Sequence, residues 1–499
     1  MTCILAIDHG TTNTKAVLVD GAGRVLARGA APVRLSVPRP GEAEQDAEEL
    51  WASCRLAVAR CLDGRPAPDA VALSNQRESV VAWDRRTGEA VGPVLGWQDT
   101  RTAAWCAGPE VAAFAGLVRE RTGLPVDAMF SAPKLRWLLR AHPGRDLAVG
   151  TIDSWLLHRL SGGTVHRCEA GNASRTLLYD VAELAWSAEL CEAFGVPLGS
   201  LPEVVRSDGG FGAVRGLPGV RDGTPVVAVL ADSHAALYAQ GCREPGTGKA
   251  TYGTGSSVMT PTERFDPGTG LTSTLAWLTD RPRHAREGNI VTAGAGLAWL
   301  ARLTGVADVA TLLELAGRVP DSGGVVFVPA LAGLGAPHWD RFATGTVLGL
   351  TEHTSTAELA RAGVEALAHQ VCDVVEVVAR EAEPLRVLRA DGGPTASALL
   401  MQTQADLLGL EVEVAEVAEL SALGAAQLAL VTLGGTLPEV STSARYVPTG
   451  SAADRAARRE RWREAVAVAR GPAGTSERGA GGQQPTKVAA PSARGAAAW

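Results

Sequence analysis

Residues 4–20, ILAIDHGTTNTKAVLVD, break two β-type apolar runs with Asp8 and the turn Gly10-Thr11-Thr12. A second strand–turn–strand pattern, KATYGTGSSVMTPT at 249–262, carries Gly253-Thr254-Gly255. Alternation on both sides of a tight glycine turn is a hairpin signal, and its recurrence in each half of the chain points to two α/β lobes with one nucleotide between them. Before the second hairpin, VVAVLADSHAALYAQG at 226–241 sets a lone carboxylate, Asp232, where an apolar strand gives way to small residues and a helix. An acid at a strand end, close to a phosphate-type turn, suggests group transfer.

The 499 residues exceed what one hydrophobic core usually serves, so two or three domains are expected. A net charge of -7 without a long basic run gives no electrostatic footprint for nucleic acid or an anionic membrane, and favours a small-molecule partner. The opening MTCILAIDHG is too short a run for a signal-peptide core, and no apolar stretch approaches a membrane span; the expectation is a cytoplasmic protein. Eight cysteines without a two-residue-spaced pair read as reduced, mostly buried thiols. The nine histidines lack zinc-type spacing, so no protein-held transition metal is expected.

The first part of the chain predicts strands near 4–7, 14–19 and 24–28, a helix over 47–62 and strands at 70–73 and 79–84, which is a mixed sheet with covering helices. Trp51, Leu56, Val58 and Leu62 form the apolar stripe expected of that helix. A helical region over 100–200 precedes a return to sheet at 224–231, and REPGTG at 243–248 breaks periodicity. The expected division is an N-terminal lobe, 1–245, for substrate and phosphate, and a C-terminal lobe, 246–470, for the nucleotide. The tail 471–499, rich in glycine, alanine and proline, is expected to be disordered and dispensable. Ser355 and Glu358 form a capping-box pattern, and 388–414 reads strand, glycine turn, helix, strand.

A glycine–threonine turn after a buried strand presents N–H groups and hydroxyls that can hold phosphate oxygens. Gly10, Thr11, Thr12 and Asn13 fit that description; alone they favour an ordinary tight hairpin, and it is the further turns at Gly253-Thr254-Gly255 and Asp391-Gly392-Gly393 that reverse the balance toward phosphate. Phosphoryl transfer needs metal-bound phosphate and often a carboxylate for the attacking hydroxyl. Asp8 suits the magnesium side, through water, and Asp232 suits the base, although a carboxylate there could instead cap the next helix. Asn75-Gln76-Arg77-Glu78 could grip neighbouring hydroxyls of a polyol, or form a solvated turn with a surface ion pair. Trp97 could pack on the carbon edge of a polyol, or belong to the core.

Taken with SNQRESVVAWD at 74–84, LGWQDTR at 95–101, GTIDSWLLHRLSGG at 150–163, GNASRTLLYD at 171–180 and VPALAGLGAPHWD at 328–340, these segments resemble the FGGY family of carbohydrate kinases, most of all its glycerol kinase branch. The resemblance runs from about residue 3 to 435. It implies two ribonuclease H-like lobes of the actin and hexokinase kind with a nucleotide cleft. It also implies phosphate contacts from Thr11, Thr12, Asn13 and Lys15, with Asp8 near Mg²⁺. Thr254, Gly294 and Gly393 would line the ATP site, Arg77 and Glu78 would hold substrate hydroxyls, and Asp232 would be the catalytic base. Departures cluster where substrate choice is decided: Met129 stands for the branch's tyrosine, Ser233 followed by His234 for its glutamine, and Ser257 for its phenylalanine. A larger pocket is implied, in which His234 either touches an added oxygen or points into the lobe. Ala298 and Ser397 replace a glutamine and an asparagine usual beside the nucleotide, which leaves the phosphate machinery in place. The segment RGLPGVRDG at 215–223 lacks the basic pattern of the family's sugar-bisphosphate control loop, and no phosphocarrier patch precedes the tail, so neither control is expected.

The expectation is an ATP- and Mg²⁺-dependent kinase for a terminal hydroxyl of glycerol or a close small polyol. Its alternatives are a kinase for erythritol, xylulose or ribulose, and a non-catalytic sensor of the same fold. A homodimer or homotetramer is the family expectation.

Overall fold

The first strand, Cys3–His9, pairs antiparallel with Asn13–Asp20, which pairs in turn with Val25–Pro32. On its other side it runs parallel to Ala70–Asn75, and that strand runs parallel to Val226–Ala231. The result is a five-stranded sheet in the order 226–231, 70–75, 3–9, 13–20, 25–32. Ile4, Leu5, Ala6 and Ile7 are all fully buried, because both faces are covered. Helix Ala47–Cys61 packs against the strands Asn13–Asp20 and Val25–Pro32, and helix Leu420–Thr432 against Cys3–His9, Ala70–Asn75 and Val226–Ala231.

The computed structural model describes residues 2–268, 270–416, 419–438 and 440–471. Beyond Gly471 the expected disordered tail lies outside the described residues. The chain forms two units. The first comprises Met1–Pro245 together with Thr260–Glu287 and Val417–Ser441; the second comprises Gly246–Met259, Gly288–Glu416 and the segment from Thr442. Two segments beyond residue 245 thus fold with the first unit, where a division in sequence alone put them in the second lobe. The reason is packing: Leu420–Thr432 is the helix that covers the first sheet.

Two local expectations need correction. In helix Ala47–Cys61 the buried positions are Ala47, Leu50, Trp51, Ser53, Cys54, Ala57, Val58 and Cys61, with Leu62 just after it, whereas Leu56 is 43% exposed. Leu56 lies five residues after Trp51, about 140° around the helix and off its stripe. The region 100–200 is not helical throughout. Leu147–Thr151, buried at every position, is an edge strand of a sheet with Val80–Asp84, Val94–Leu95 and Glu44–Gln45.

In the second unit Thr247–Tyr252 pairs antiparallel with Ser256–Thr262 and parallel with Val387–Asp391. The sheet continues through Glu411–Ala415, parallel, to Thr442–Tyr446, antiparallel. Each hairpin therefore has the same surroundings, a parallel third strand beside its first strand. Ser355 caps helix Thr356–Glu381 in a complete capping box with Glu358, as the pattern predicts. The last helix, Ala452–Arg470, is held to it by buried Arg459, which reaches Asp373, Glu376 and the His369 carbonyl, and by Trp462 stacked on His369. Among the described residues no single helix is long and apolar enough to cross a membrane.

Candidate active site

The register of the first sheet places Asp8 opposite Ser74 on one side and Lys15 on the other. The Ser74 hydroxyl donates to Asp8 Oδ1 at 2.9 Å. Burial and the nearby carboxylate of Asp232 push Asp8 up to about 6, against the pull of Ser74 and Lys15. The turn that follows is closed by Gly10 N–H donating to Asn13 O at 3.0 Å. Its backbone is fixed by Gln45, whose amide donates to Thr11 O at 2.8 Å. Gln76 completes the bracket by donating to Gln45 Oε1 at 2.9 Å and accepting from Thr11 Oγ1 at 3.3 Å. Thr12 and Asn13 remain exposed at the tip.

The segment 75–78 is not a solvated turn. Asn75 and Gln76 are buried, Glu78 is 5% exposed, and the Arg77 side chain is 11% exposed. Glu78 has φ of 61°, a left-handed conformation that costs a non-glycine residue about 1 kcal/mol or more. Ser131 Oγ donates to its carbonyl at 3.1 Å and Arg175 Nε to its carboxylate at 2.7 Å, which hold that conformation. Arg77 forms a two-pronged pair with Glu287, at 3.0 and 2.8 Å, and turns its Nε toward Asp232 Oδ1 at 3.3 Å. Burial would raise Glu287, but the guanidiniums of Arg77 and Arg175 outweigh it and hold the carboxyl well below the usual range.

Asp232 is the first residue of helix Asp232–Ala239; the cap is Ala231, which offers no side-chain bond. The Asp232 carboxylate accepts from Ser233 N at 2.6 Å, so it satisfies one donor of the first turn from inside the helix, and its side chain keeps 35% exposure. His234 has no exposed surface and lies close enough to Glu287 to act on its charge. Trp97 is no core residue: it is 40% exposed, and its indole N–H donates to Thr11 Oγ1 at 3.1 Å. Met129 is half-buried against the Phe130 and Leu135 core, and its carbonyl accepts from the buried ammonium of Lys134.

In the second unit Ala293 and Ala295 N–H groups donate to Thr254 O and Gly294 N–H to Gly253 O, joining the Gly253-Thr254-Gly255 turn to the start of helix Gly294–Thr304. Thr251 lies opposite Asp391 in the parallel pair, and its hydroxyl donates to that carboxylate at 3.2 Å. Gly392 has φ of 99°, and a Cβ there would come within 1.9 Å of Tyr252 O, so only glycine fits beside the hairpin. Gly393 follows in a short 3-10 turn, and Ser397 caps helix Ala398–Leu408 through Leu400 N at 3.2 Å. Asp8, Thr11, Lys15, Arg77, Glu78, Trp97 and Asp232 are thus linked in one unit, while Thr254, Gly294, Gly393 and Ser397 cluster in the other.

The chemistry of the first cluster fits Mg²⁺. Asp8, Ser74 and Asp232 offer only oxygen donors; burial is the main reason Asp8 is lifted, and the Asp232 repulsion that adds to it is what a divalent cation relieves. Among the described residues no group of three or more His, Cys, Asp or Glu forms a metal cage. Mg²⁺ bound mainly by water and phosphate oxygens needs none.

Sequence reasoning missed Gln45, Ser74, Arg175 and Glu287. Arg175, in GNASRTLLYD, is a charge beside an apolar run, and that was its available signal; Glu287, in RHAREGNI, stands among other charged residues and carried none.

The chain matches the N-terminal domain of the FGGY family of carbohydrate kinases over residues 3–239 and its C-terminal domain over 248–433. This protein belongs to the FGGY family of carbohydrate kinases. It is 45% identical to an apulose kinase of Pectobacterium atrosepticum, over 86% of this chain and 90% of that protein. A glycerol kinase of Halorhodospira halophila is 43% identical over 86% of this chain and 88% of its own. The structure of Plasmodium falciparum glycerol kinase with ADP superposes with a TM-score of 0.88 at 28% identity, over 93% of this chain and 98% of that one. The two α/β units of this FGGY kinase are those of the family's two-lobed fold.

Proposed function

We propose that this kinase transfers the γ-phosphoryl group of ATP to a terminal hydroxyl of glycerol or a closely related small polyol, with Asp232 as general base. The observation that carries the reading is the partly exposed Asp232 carboxylate, paired with Arg77 Nε at 3.3 Å, while Glu78, the residue after Arg77, is held by Arg175. Asp232 accepts the proton as the hydroxyl oxygen bonds to phosphorus and the bond to the ADP oxygen breaks. Arg77 and Glu78 bind substrate hydroxyls as donor and acceptor, and Trp97, Met129 and Ser233 wall the site. Thr11, Thr12, Asn13 and Lys15 take phosphate oxygens, and Thr254, Gly294, Gly393 and Ser397 take the nucleotide. Asp8 holds Mg²⁺ through water. When bound, the cation neutralises charge on the transferring phosphate.

A second reading, a kinase for a four- or five-carbon polyol or ketose, is favoured by Met129, Ser233 and Ser257 and by the 45% identity to an apulose kinase. A sensor has no need of an aligned base, and that arrangement disfavours it. The reaction is placed in the cytoplasm, where ATP is available, in a homodimer or homotetramer.

Coupled ADP release with Mg-ATP against glycerol, erythritol, D-xylulose, D-ribulose, apulose and gluconate tests the proposal, with Asp232→Asn as the blank. Asp232→Asn is expected to lower kcat by about 10²–10⁴-fold. Highest kcat/KM on glycerol supports the first reading and on a longer acceptor the second; no Asp232-dependent turnover on any of them overturns both.

A further inference from the structure

The two substrate-side residues, Arg77 and Glu78, are neighbours in sequence, yet neither is positioned by the other. Both prongs of the Arg77 guanidinium are taken by Glu287, at 3.0 and 2.8 Å, so Glu287 sets its plane and leaves the Nε edge for Asp232. Glu78 is held by Arg175 Nε at 2.7 Å, and Arg175 Nη1 lies 3.3 Å from Glu287 Oε2. We propose that Glu287 and Arg175 are positioning residues for phosphoryl transfer, forming a buried relay Glu78–Arg175–Glu287–Arg77–Asp232 that fixes both hydroxyl-binding groups and the base as one rigid set.

The relay is a costly way to build a core. Glu287 has no exposed surface, and Arg175 is fully buried with its Cζ 5.3 Å from the Phe130 ring centroid. Arg175 Nη2 has no hydrogen-bond partner among the described residues. Apolar residues of similar volume would stabilise such a site as well or better. Held charges are useful where a reaction requires donors and acceptors already oriented before substrate arrives. Glu287 is delivered by the hairpin Thr272–Leu278 and Pro282–Ile290, where it pairs with Thr272, whose hydroxyl donates to the Glu287 carbonyl at 3.0 Å. The relay therefore ties the strand-end turn 75–78, the Asn172–Arg175 segment and this hairpin to the base.

The inference rests on the reading of Asp232 as base, and the test separates the two. Glu287→Gln, Glu287→Asp and Arg175→Lys are assayed with glycerol and with D-ribulose, reading KM for the acceptor, KM for ATP and kcat, with thermal unfolding as a check on folding. Glu287→Gln removes the charge that orients Arg77. It is expected to raise the acceptor KM and lower kcat, each by about tenfold or more, while the ATP KM stays within about twofold. Glu287→Asp keeps both ion pairs but withdraws the carboxylate by one methylene, and is expected to fall between Glu287→Gln and wild type; if Glu287→Gln does not fold, Glu287→Asp decides. Arg175→Lys, which loses the fork that spans Glu78 and Glu287, is expected to raise the acceptor KM more than the ATP KM. A merely structural role would lower kcat through the folded fraction and leave both KM values alone, which overturns the relay, as does wild-type kinetics in Glu287→Asp and Arg175→Lys while Asp232→Asn is inactive. Turnover that survives Asp232→Asn sinks the base reading and the relay with it.

Discussion

Lys134 has no exposed surface, and burial pushes its ammonium down to about 7, against the attraction of Glu78, Asp99 and Asp127. In the unfolded chain the same lysine titrates near its ordinary value, about 10.4. Between those two values the unfolded chain holds a proton that the folded chain has released, so stability rises with pH across about 7 to 10. Below about 7 both states are protonated and the full cost of burying the charge is present. Lys134→Met should therefore gain stability relative to wild type at pH 7, and that gain should shrink by about 2–3 kcal/mol at pH 9.5. Urea midpoints at the two pH values measure this; an equal difference at both would show that Lys134 does not titrate in this range. At this scale the sequence marked Asp8, Arg77, Glu78 and Asp232 by type and place, but it left open whether each was solvated, capping or functional. Burial excluded a solvated turn for Arg77 and Glu78, while Asp232 takes the Ser233 N–H of the helix start and keeps part of its carboxylate exposed.

Among the elements, the helix that begins with Asp232 depends on close approach to helix Leu420–Thr432. A Cβ on Gly424 would lie 1.9 Å from Ala235 O, one turn beyond the base. Gly424→Ala is expected to destabilise the protein by about 1–3 kcal/mol and to lower kcat by displacing Asp232. Gly116, in helix Ala115–Thr122, has nothing within 4 Å of a built Cβ, so Gly116→Ala should raise stability by about 0.5–1 kcal/mol with turnover unchanged. Thermal unfolding with kinetics on both variants checks the contrast, and equal losses would argue against contact between the two helices as the cause. Both hairpins, helix Ala47–Cys61 and the Ser355 capping box were legible because their signals are periodicity and turn chemistry within a few residues. The strand Leu147–Thr151 was missed because a short apolar run buried on both faces has no alternation to read.

For the whole molecule, the first unit is not a contiguous half of the chain. A fragment ending at Pro245 lacks helix Leu420–Thr432, which covers the sheet strands Cys3–His9 and Ala70–Asn75, and lacks Glu287, which leaves Arg77 and Arg175 without that buried carboxylate. Such a fragment is expected to show no cooperative unfolding transition and to bind a hydrophobic dye, whereas a two-state transition in urea would show that 1–245 folds alone. The sequence by itself determined the α/β class, the two hairpins with their glycine–threonine turns, the base candidate and the resemblance to the FGGY kinases, because these are carried by residue type and spacing over a few positions. Only the tertiary structure decided which segments make up each unit, that the Arg77 turn is buried, and that Glu287, 210 residues away, orients Arg77. Charge pairing of that kind depends on strand register and on exclusion of water, and neither is encoded in any one stretch of chain.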